Sequence, residues 1–121
     1  MQDNKTTIQD IKNFMRQFVA EREWTQFHTP KNLSMSLSIE AAELMELFQW
    51  CDNNASWELA RAKRTELEHE MADVLAYLIS LANVCEIDLS AAYAKKMALN
   101  AEKYPIDKVK GRSDKYTTYR E

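Results

Sequence analysis

Two pairs of acidic residues are the part of this sequence best suited to chemistry. Glu40 and Glu43 form the first pair, and Glu70 and Asp73 form the second. Residues three positions apart share one side of an α-helix, so each pair directs two carboxylates the same way. Four carboxylates brought together repel one another, and a hard divalent cation offsets that repulsion. The spacing therefore predicts a Mg²⁺ site, with Mn²⁺ as a substitute and with room for two or more ions.

Both acid pairs lie within apolar stripes of their helices. At about 100° per residue, several apolar side chains share the side of Glu40, and others share the side of Glu70. They are Leu33, Leu37, Leu44 and Leu47 for the first, and Leu67, Val74, Tyr77 and Leu81 for the second. Carboxylates within apolar surfaces are costly unless compensated. This shared placement favours a site over the alternative of two solvated acid pairs on helix surfaces.

A second metal pattern involves Glu66 and His69, which are also three residues apart. Helical di-iron proteins use such a pair from each of two helices. The sequence holds one copy, and its other histidine, His28, falls in a predicted loop. We therefore interpret His69 as a partly exposed helix residue rather than as a ligand.

Composition predicts the elements that position these residues. The chain has 121 residues with one glycine and two prolines, and it is rich in Ala, Leu and Glu. That composition is typical of an all-α protein, and we expect one domain over residues 1–121 with a four-helix bundle-like fold. The helical core is predicted over about residues 6–104, with a tail over 105–121. A single glycine also excludes the glycine-rich phosphate-binding loops.

Capping signals predict where the helices begin and end. A capping box at Thr7 predicts a first helix to about Arg22, and Thr29 before a proline predicts a second helix that reaches Trp50 or Cys51. A third segment, capped by Ser56 and running to Asp88, is one helix or two. Asp88 caps a fourth helix from about Leu89 to Lys103, which Pro105 stops.

Charge and hydropathy exclude other partners. The chain has 16 basic and 19 acidic residues, so it carries no overall signal for nucleic acid. Its longest uncharged stretch, Val74 to Cys85, is shorter than a membrane span, and the first residues lack a signal-peptide pattern. We expect a soluble, cytoplasmic protein. The second helix and the third segment are apolar almost all round, which predicts a helix-rich interface in a homo-oligomer.

The acid motifs also carry a family resemblance. Glu40-Ala-Ala-Glu43 followed by Glu70-Met-Ala-Asp73 resembles the E-x-x-E…E-x-x-D signature of the MazG-like, all-α nucleoside triphosphate pyrophosphohydrolases. Residues 21–33, 43–50, 96–105 and 115–116 are similar to the dCTP pyrophosphatase branch, including its integron-associated bacterial members. The resemblance extends from about Ile8 to Tyr116.

The resemblance implies roles for individual residues. It implies Glu40, Glu43, Glu70 and Asp73 as Mg²⁺ ligands, Trp24 and Trp50 as walls of a base pocket, and Lys96, Asn100 and Tyr104 as nucleotide contacts. Lys103 shares a helix face with Lys96 and Asn100, so we expect it to meet the polyphosphate as well. One departure is Met15, where mammalian members of this branch have a histidine that lines the base pocket.

The function implied by the resemblance is hydrolysis of a nucleoside triphosphate, dCTP or a modified dCTP, to the monophosphate and pyrophosphate. It also implies a tetramer built as a dimer of dimers. Two alternatives stay open at this point. One is the same chemistry with broad deoxynucleotide scope, and the other is a non-catalytic helical oligomerisation module.

Overall fold

A computed structural model describes residues 1–119, which are helical throughout, with short connections. The six α-helices are α1 (Ile8–Glu21), α2 (Pro30–Glu46), α3 (Asn53–Ala62), α4 (Arg64–Val84), α5 (Leu89–Lys103) and α6 (Ile106–Val109). Two 3₁₀ turns cover Thr25–Phe27 and Tyr116–Tyr119. No β-strand occurs in the described part of the chain, and the all-α prediction is confirmed.

Residues 1–86 form a compact unit with α4 as its central helix. α2 packs along α4 most extensively, and α1 and α3 pack against α4 as well. The side chains of Leu33 on α2 and Ile79 on α4 are fully buried, and Val19 on α1 is nearly so. The core of this unit therefore lies where α1 and α2 meet α4, which puts α2 and α4 in a defined register.

The predicted starts of α1 and α2 are confirmed. The Thr7 hydroxyl accepts a hydrogen bond from the Asp10 backbone N–H at 3.0 Å, and the Asp10 carboxylate accepts one from the Thr7 N–H at 2.9 Å. Thr29 caps α2 by accepting from the Asn32 N–H at 3.2 Å, with Pro30 as the first helical residue. Each cap satisfies backbone donors that have no partner within the helix.

Two predicted boundaries are wrong. α2 ends at Glu46 rather than at Trp50 or Cys51, because the backbone tightens from Leu47 onward, where its N–H bonds the Leu44 carbonyl three residues back at 3.3 Å. The next helix begins at Asn53 rather than after Ser56. Asp52 is its cap and accepts from the Ala55 N–H at 2.8 Å, so the free N–H groups are satisfied before Ser56 is reached.

The third predicted segment, for which the sequence allowed either one helix or two, forms two helices, α3 and α4. The break lies at Lys63, whose backbone angles of φ −105° and ψ 34° depart from helical values. α4 then ends at Val84, and Glu86 turns the chain with a positive φ of 54°. That left-handed turn precedes Asp88 and separates α4 from the next helix.

The chain from Ile87 onward forms a second compact unit. Asp88 caps α5 by accepting from the Ala91 N–H at 2.9 Å, and α5 ends at Lys103 before Pro105, as predicted. The predicted tail is ordered into α6 and the second 3₁₀ turn, while Arg120 and Glu121 lie outside the described residues. The single domain over residues 1–121 stays a prediction.

None of the described helices has the length and apolarity of a membrane span by itself. Within residues 1–119, α4 and α5 reach that length and apolarity only when taken together as a bent pair.

Candidate functional site

The packing of α2 on α4 brings three of the four predicted acids together. Glu40, Glu43 and Glu70 each place one carboxylate oxygen within 4.8 Å of the others. Glu40 and Glu43 are neighbours on α2 because they are almost one turn apart, and α4 supplies Glu70 from across the helix contact. We call these three residues the carboxylate trio.

The trio is partly withdrawn from solvent. Glu40 and Glu70 are half-buried, whereas Glu43 is exposed. The Oε2 atoms of Glu40 and Glu70 are buried and have no hydrogen-bond partner. A buried carboxylate oxygen without a donor is unfavourable unless a proton or a cation compensates it.

Burial and neighbouring charges alter the acidity of the trio. The pKa of Glu40 is raised to about 7, first by burial and then by a side-chain hydrogen bond with Glu43 and by the charges of Glu43, Asp73 and Glu70. Burial also raises the pKa of Glu70, again assisted by Glu43 and Asp73 and opposed by His69. The folded chain thus concentrates more negative charge here than it neutralises by itself.

Asp73, the fourth predicted acid, lies one turn after Glu70 on α4 and is exposed. It is not among the three acids whose oxygens meet within 4.8 Å, although its charge contributes to the raised pKa of both Glu40 and Glu70. The donor set is therefore made of carboxylate oxygens, which suit a hard divalent cation. The buried, unpartnered oxygens of the trio fit such an ion.

The di-iron alternative gains no support. Glu66 and His69 are both exposed, and neither belongs to the group of acids that could hold a metal together within the described residues. The contribution of His69 to the site is electrostatic, and it lowers the pKa of Glu70 against the other causes.

A cavity of about 400 Å³ lies beside Asp73 between α1 and α4. We call it the acid-side compartment; it is lined by Met15, Phe18, Trp24, Asp73, Tyr77 and Ser80, among others. The Trp24 ring meets the Phe18 ring edge-on at 5.9 Å between centroids and is 44% exposed. Aromatic walls next to a carboxylate cluster suit a ligand with a flat ring and a charged end.

Trp50 is placed differently from Trp24. It lies in the turn after α2, is 90% exposed, and does not line the acid-side compartment. A base pocket formed by both tryptophans therefore stays a prediction.

The predicted nucleotide contacts on α5 belong to the second unit. Lys96 is exposed and Asn100 is half-buried. The Lys103 ammonium lies 4.8 Å above the centre of the Tyr116 ring, and the Tyr104 ring meets those of Tyr116 and Tyr119 edge-on. The helix presents Lys96, Asn100 and Lys103 at the expected spacing, and their contacts with a nucleotide stay predictions.

Sequence reasoning missed several residues of the cavity wall. Tyr77 and Ser80 lie four and seven positions after Asp73 on α4, which places them on the same helix side as this acid. The spacing from Asp73 could therefore have identified both residues as part of the cavity wall. His28 gave no such signal, because it lies in the connection before α2 and reaches the cavity only through the path of that connection.

Comparisons with known proteins identify the family of the chain. Residues 35–118 match the model of the MazG-like family. Curated proteins named dCTP pyrophosphatase 1 are similar: that of Mus musculus is 42% identical over 113 residues, and that of Homo sapiens is 41% identical over 115 residues. Both alignments cover 92% of this chain, which spans 66% of the length of these relatives.

Two further relatives extend the comparison. The dCTP pyrophosphatase 1 of Bos taurus is 40% identical over 116 residues, covering 94% of this chain and 69% of that protein. The crystal structure of a pyrophosphatase from Archaeoglobus fulgidus is 40% identical with a TM-score of 0.80, covering 87% of this chain and 98% of that one.

Proposed function

Because the chain belongs to the MazG-like family, we propose that it is a nucleoside triphosphate pyrophosphohydrolase that acts on dCTP or a modified dCTP. The observation that carries the proposal is the carboxylate trio, held where α2 meets α4 and backed by two buried oxygens without partners. The relatives named dCTP pyrophosphatase supply the substrate class.

The proposed reaction is hydrolysis between the α and β phosphates. The oxygen of a water molecule bonds to the α phosphorus, and the bond from that phosphorus to the bridging oxygen breaks. The products are the nucleoside monophosphate and pyrophosphate, and the water's proton is released to a carboxylate. A phosphate chain carries several negative charges, so it binds next to these acids only with cations between them.

Glu40, Glu43, Glu70 and Asp73 would hold Mg²⁺, with Mn²⁺ as a substitute. When bound, the cation neutralises phosphate charge and lowers the pKa of a coordinated water. The chain itself brings the three acids together: Glu40 and Glu70 are half-buried, and the exposed Glu43 has a carboxylate oxygen within 4.8 Å of theirs. We assign to Glu43 the orientation of the attacking water and the acceptance of its proton.

The rest of the nucleotide is assigned to aromatic and basic residues. Trp24 faces a cavity beside Asp73, which supports a role in stacking on the base. We assign Trp50 to the same base and Lys96, Asn100, Lys103 and Tyr104 to the phosphates and sugar. The exposed ammonium of Lys96 and the spacing of the α5 residues support this assignment.

Exposed apolar side chains support an oligomer. α2, α3 and α4 leave large apolar groups in solvent, among them Met35, Ile39, Met45, Trp57, Met71 and Leu75. We propose a homotetramer, a dimer of dimers, in which one active site draws on more than one chain. We also propose the cytoplasm as its location, where nucleotide pools are kept, with neither nucleic acid nor membrane as a partner.

Product analysis tests the proposed function. The full chain is incubated with dCTP and Mg²⁺, then with Mn²⁺ and with a chelator, and both products are quantified. Equal amounts of dCMP and pyrophosphate that disappear with the chelator are expected. A panel with 5-methyl-dCTP, dTTP, dATP and dGTP separates a dCTP enzyme from the broad-scope alternative. No hydrolysis of any member would leave the helical oligomerisation module.

A further inference from the structure

The buried side-chain atoms without hydrogen-bond partners fall in two groups. Within residues 1–119 they are Oε2 of Glu40 and Glu70, Oγ of Ser80, and Oδ1 of Asn83. The first two belong to the carboxylate trio. The other two lie three residues apart near the C-terminal end of α4. Because buried polar atoms are almost always paired in folded proteins, this second group also points to a ligand.

Ser80 and Asn83 both face a cavity next to the acid-side compartment. This second cavity, of about 260 Å³, is lined by Asn83, Ser80, Met15, Val19, His28 and Val84, among others, and we call it the amide-side compartment. Four of these residues, Met15, Val19, His28 and Ser80, line both compartments. The two compartments therefore adjoin at Ser80.

α4 sets the distance between the acids and these two polar residues. Asp73 and Ser80 are seven residues apart, which corresponds to about 10 Å along a helix. That distance is comparable with the reach from the α phosphate of a nucleotide to the far edge of its base.

The Asn83 side chain is oriented by a contact with α1. Its Nδ2 donates to the Lys12 carbonyl at 3.1 Å, and a carbonyl can only accept. The Oδ1 atom, an acceptor, is the polar atom of this side chain that is buried without a partner. Ser80 is 3% exposed, and its hydroxyl can donate or accept.

We propose that Ser80 and Asn83 select the base of the substrate by its amino group. Asn83 Oδ1 accepts a hydrogen bond from the exocyclic amino group of cytosine, and the Ser80 hydroxyl donates to the adjacent ring nitrogen. The assignment rests on the proposed function, because the acids and the base must bind one nucleotide.

Uracil presents the reverse pattern at the same edge. It has a carbonyl oxygen in place of the amino group and an N–H in place of the free ring nitrogen, so its oxygen faces Asn83 Oδ1 without a proton between them. A buried site built to bond a substrate group discriminates strongly against an analogue that lacks it. Uracil and thymine nucleotides are therefore disfavoured by Asn83 in particular.

The test compares dCTP with dUTP, which differ at this edge alone. The ratio of their kcat/KM values is measured for the wild-type chain, Ser80→Ala and Asn83→Ala. We expect the wild type to prefer dCTP and Asn83→Ala to lower the dCTP/dUTP ratio by about tenfold or more. Ser80→Ala should lower kcat/KM for both triphosphates with a smaller change in the ratio, because its hydroxyl can donate to cytosine or accept from uracil. Matched controls are Ser38→Ala on α2 and Asn54→Ala on α3, both exposed, for which the ratio is expected to stay within twofold.

A binding measurement separates this inference from the proposed reaction. Calorimetric titration with dCMP and with dUMP requires no turnover. The two affinities therefore measure base selection even if the wild type hydrolyses neither triphosphate. An unchanged dCTP/dUTP ratio in a folded Asn83→Ala variant, or equal binding of dCMP and dUMP by the wild type, overturns the inference while leaving the reaction intact. If Asn83→Ala loses its helical circular dichroism, the binding of dCMP and dUMP by the wild type decides the outcome.

Discussion

Glu43 on α2 and Glu70 on α4 hold carboxylate oxygens within 4.8 Å of each other although they belong to different helices. The proximity depends on the packing of α2 along α4, with Leu33 and Ile79 fully buried in the core. Like charges at this distance are unfavourable, so the hydrophobic contact holds in place an arrangement that the charges oppose. A bound cation would reverse the sign of that interaction.

Neutralising the acids is expected to abolish activity and to preserve the fold. Glu40→Gln, Glu43→Gln, Glu70→Gln and Asp73→Asn should each lower kcat by at least about a hundredfold, because each removes a contact to the charge that develops during hydrolysis. Steady-state kinetics with dCTP measures the loss. Circular dichroism should show full helix content.

Glu46→Gln is the matched control for the acid variants, because Glu46 is an exposed glutamate on the same helix as Glu43. It should retain wild-type kinetics. Near-normal rates in any two folded acid variants would rule out the four-acid site.

The stability of the metal-free protein is expected to fall as pH rises. The pKa of Glu40 is about 7 in the folded chain, above its ordinary 4.5, so the folded state holds this proton more tightly than the unfolded state does. The stabilisation from that proton is complete below about pH 4.5 and is lost as pH rises through about 7. Thermal melts in a chelator between these limits should show a declining Tm, and Glu40→Gln should reduce the decline.

Mg²⁺ should reverse this trend. Metal ligands must be deprotonated, so the increase in Tm on adding Mg²⁺ should be larger near pH 7.5 than near pH 5. The same increase at both pH values, or an equal increase in Glu40→Gln, would show that Mg²⁺ binds elsewhere.

The site acids could be predicted from the sequence because helical periodicity alone decides which side chains share a face. Glu40 and Glu70 were placed within apolar stripes by spacing, and the structure shows both half-buried in one cluster. The starts of α1, α2 and α5 were predictable for a similar reason, since caps at Thr7, Thr29 and Asp88 are local interactions.

Other features of the fold and the site depend on competition between two possible helix caps or on contacts between residues that are distant in the sequence. The beginning of α3 was missed because Asp52 and Ser56 are both good caps, and only the backbone decides which one acts. The orientation of Asn83 could not be predicted, because it depends on the Lys12 carbonyl of another helix. His28 reaches the cavity through a loop, and loops carry no periodicity.

The cleavage position is expected at the α phosphorus. With dCTP, anion-exchange chromatography should give dCMP and pyrophosphate in equal amounts, and hydrolysis in ¹⁸O-labelled water should place the label in dCMP. Formation of dCDP and orthophosphate would contradict this mechanism and leave the cation site unaffected. Label in pyrophosphate would show attack at the β phosphorus instead.

Replacing Trp24 or Trp50 by Ala is expected to raise the KM for dCTP by about tenfold with a small change in kcat, because stacking on a base stabilises the ground and transition states alike. Trp57→Ala is the matched control, since Trp57 is 71% exposed on α3 and has no assigned role in nucleotide binding. An unchanged KM in Trp50→Ala would contradict the assignment of this residue to the base pocket. Trp24→Ala tests separately whether the acid-side compartment binds the base.

The oligomer is tested by mixing two inactive proteins. Apolar side chains exposed on α2 and α4, such as Ile39 and Met71, are expected to be covered by other copies of the chain. If one active site uses Glu40 of one subunit and Lys96 of another, Glu40→Gln and Lys96→Ala proteins refolded together should regain part of the wild-type rate, because some mixed sites contain both native residues. Each variant refolded alone is the control and should stay inactive. Light scattering should give the mass of a tetramer, and a stable, active monomer would contradict both the assembly and the shared site.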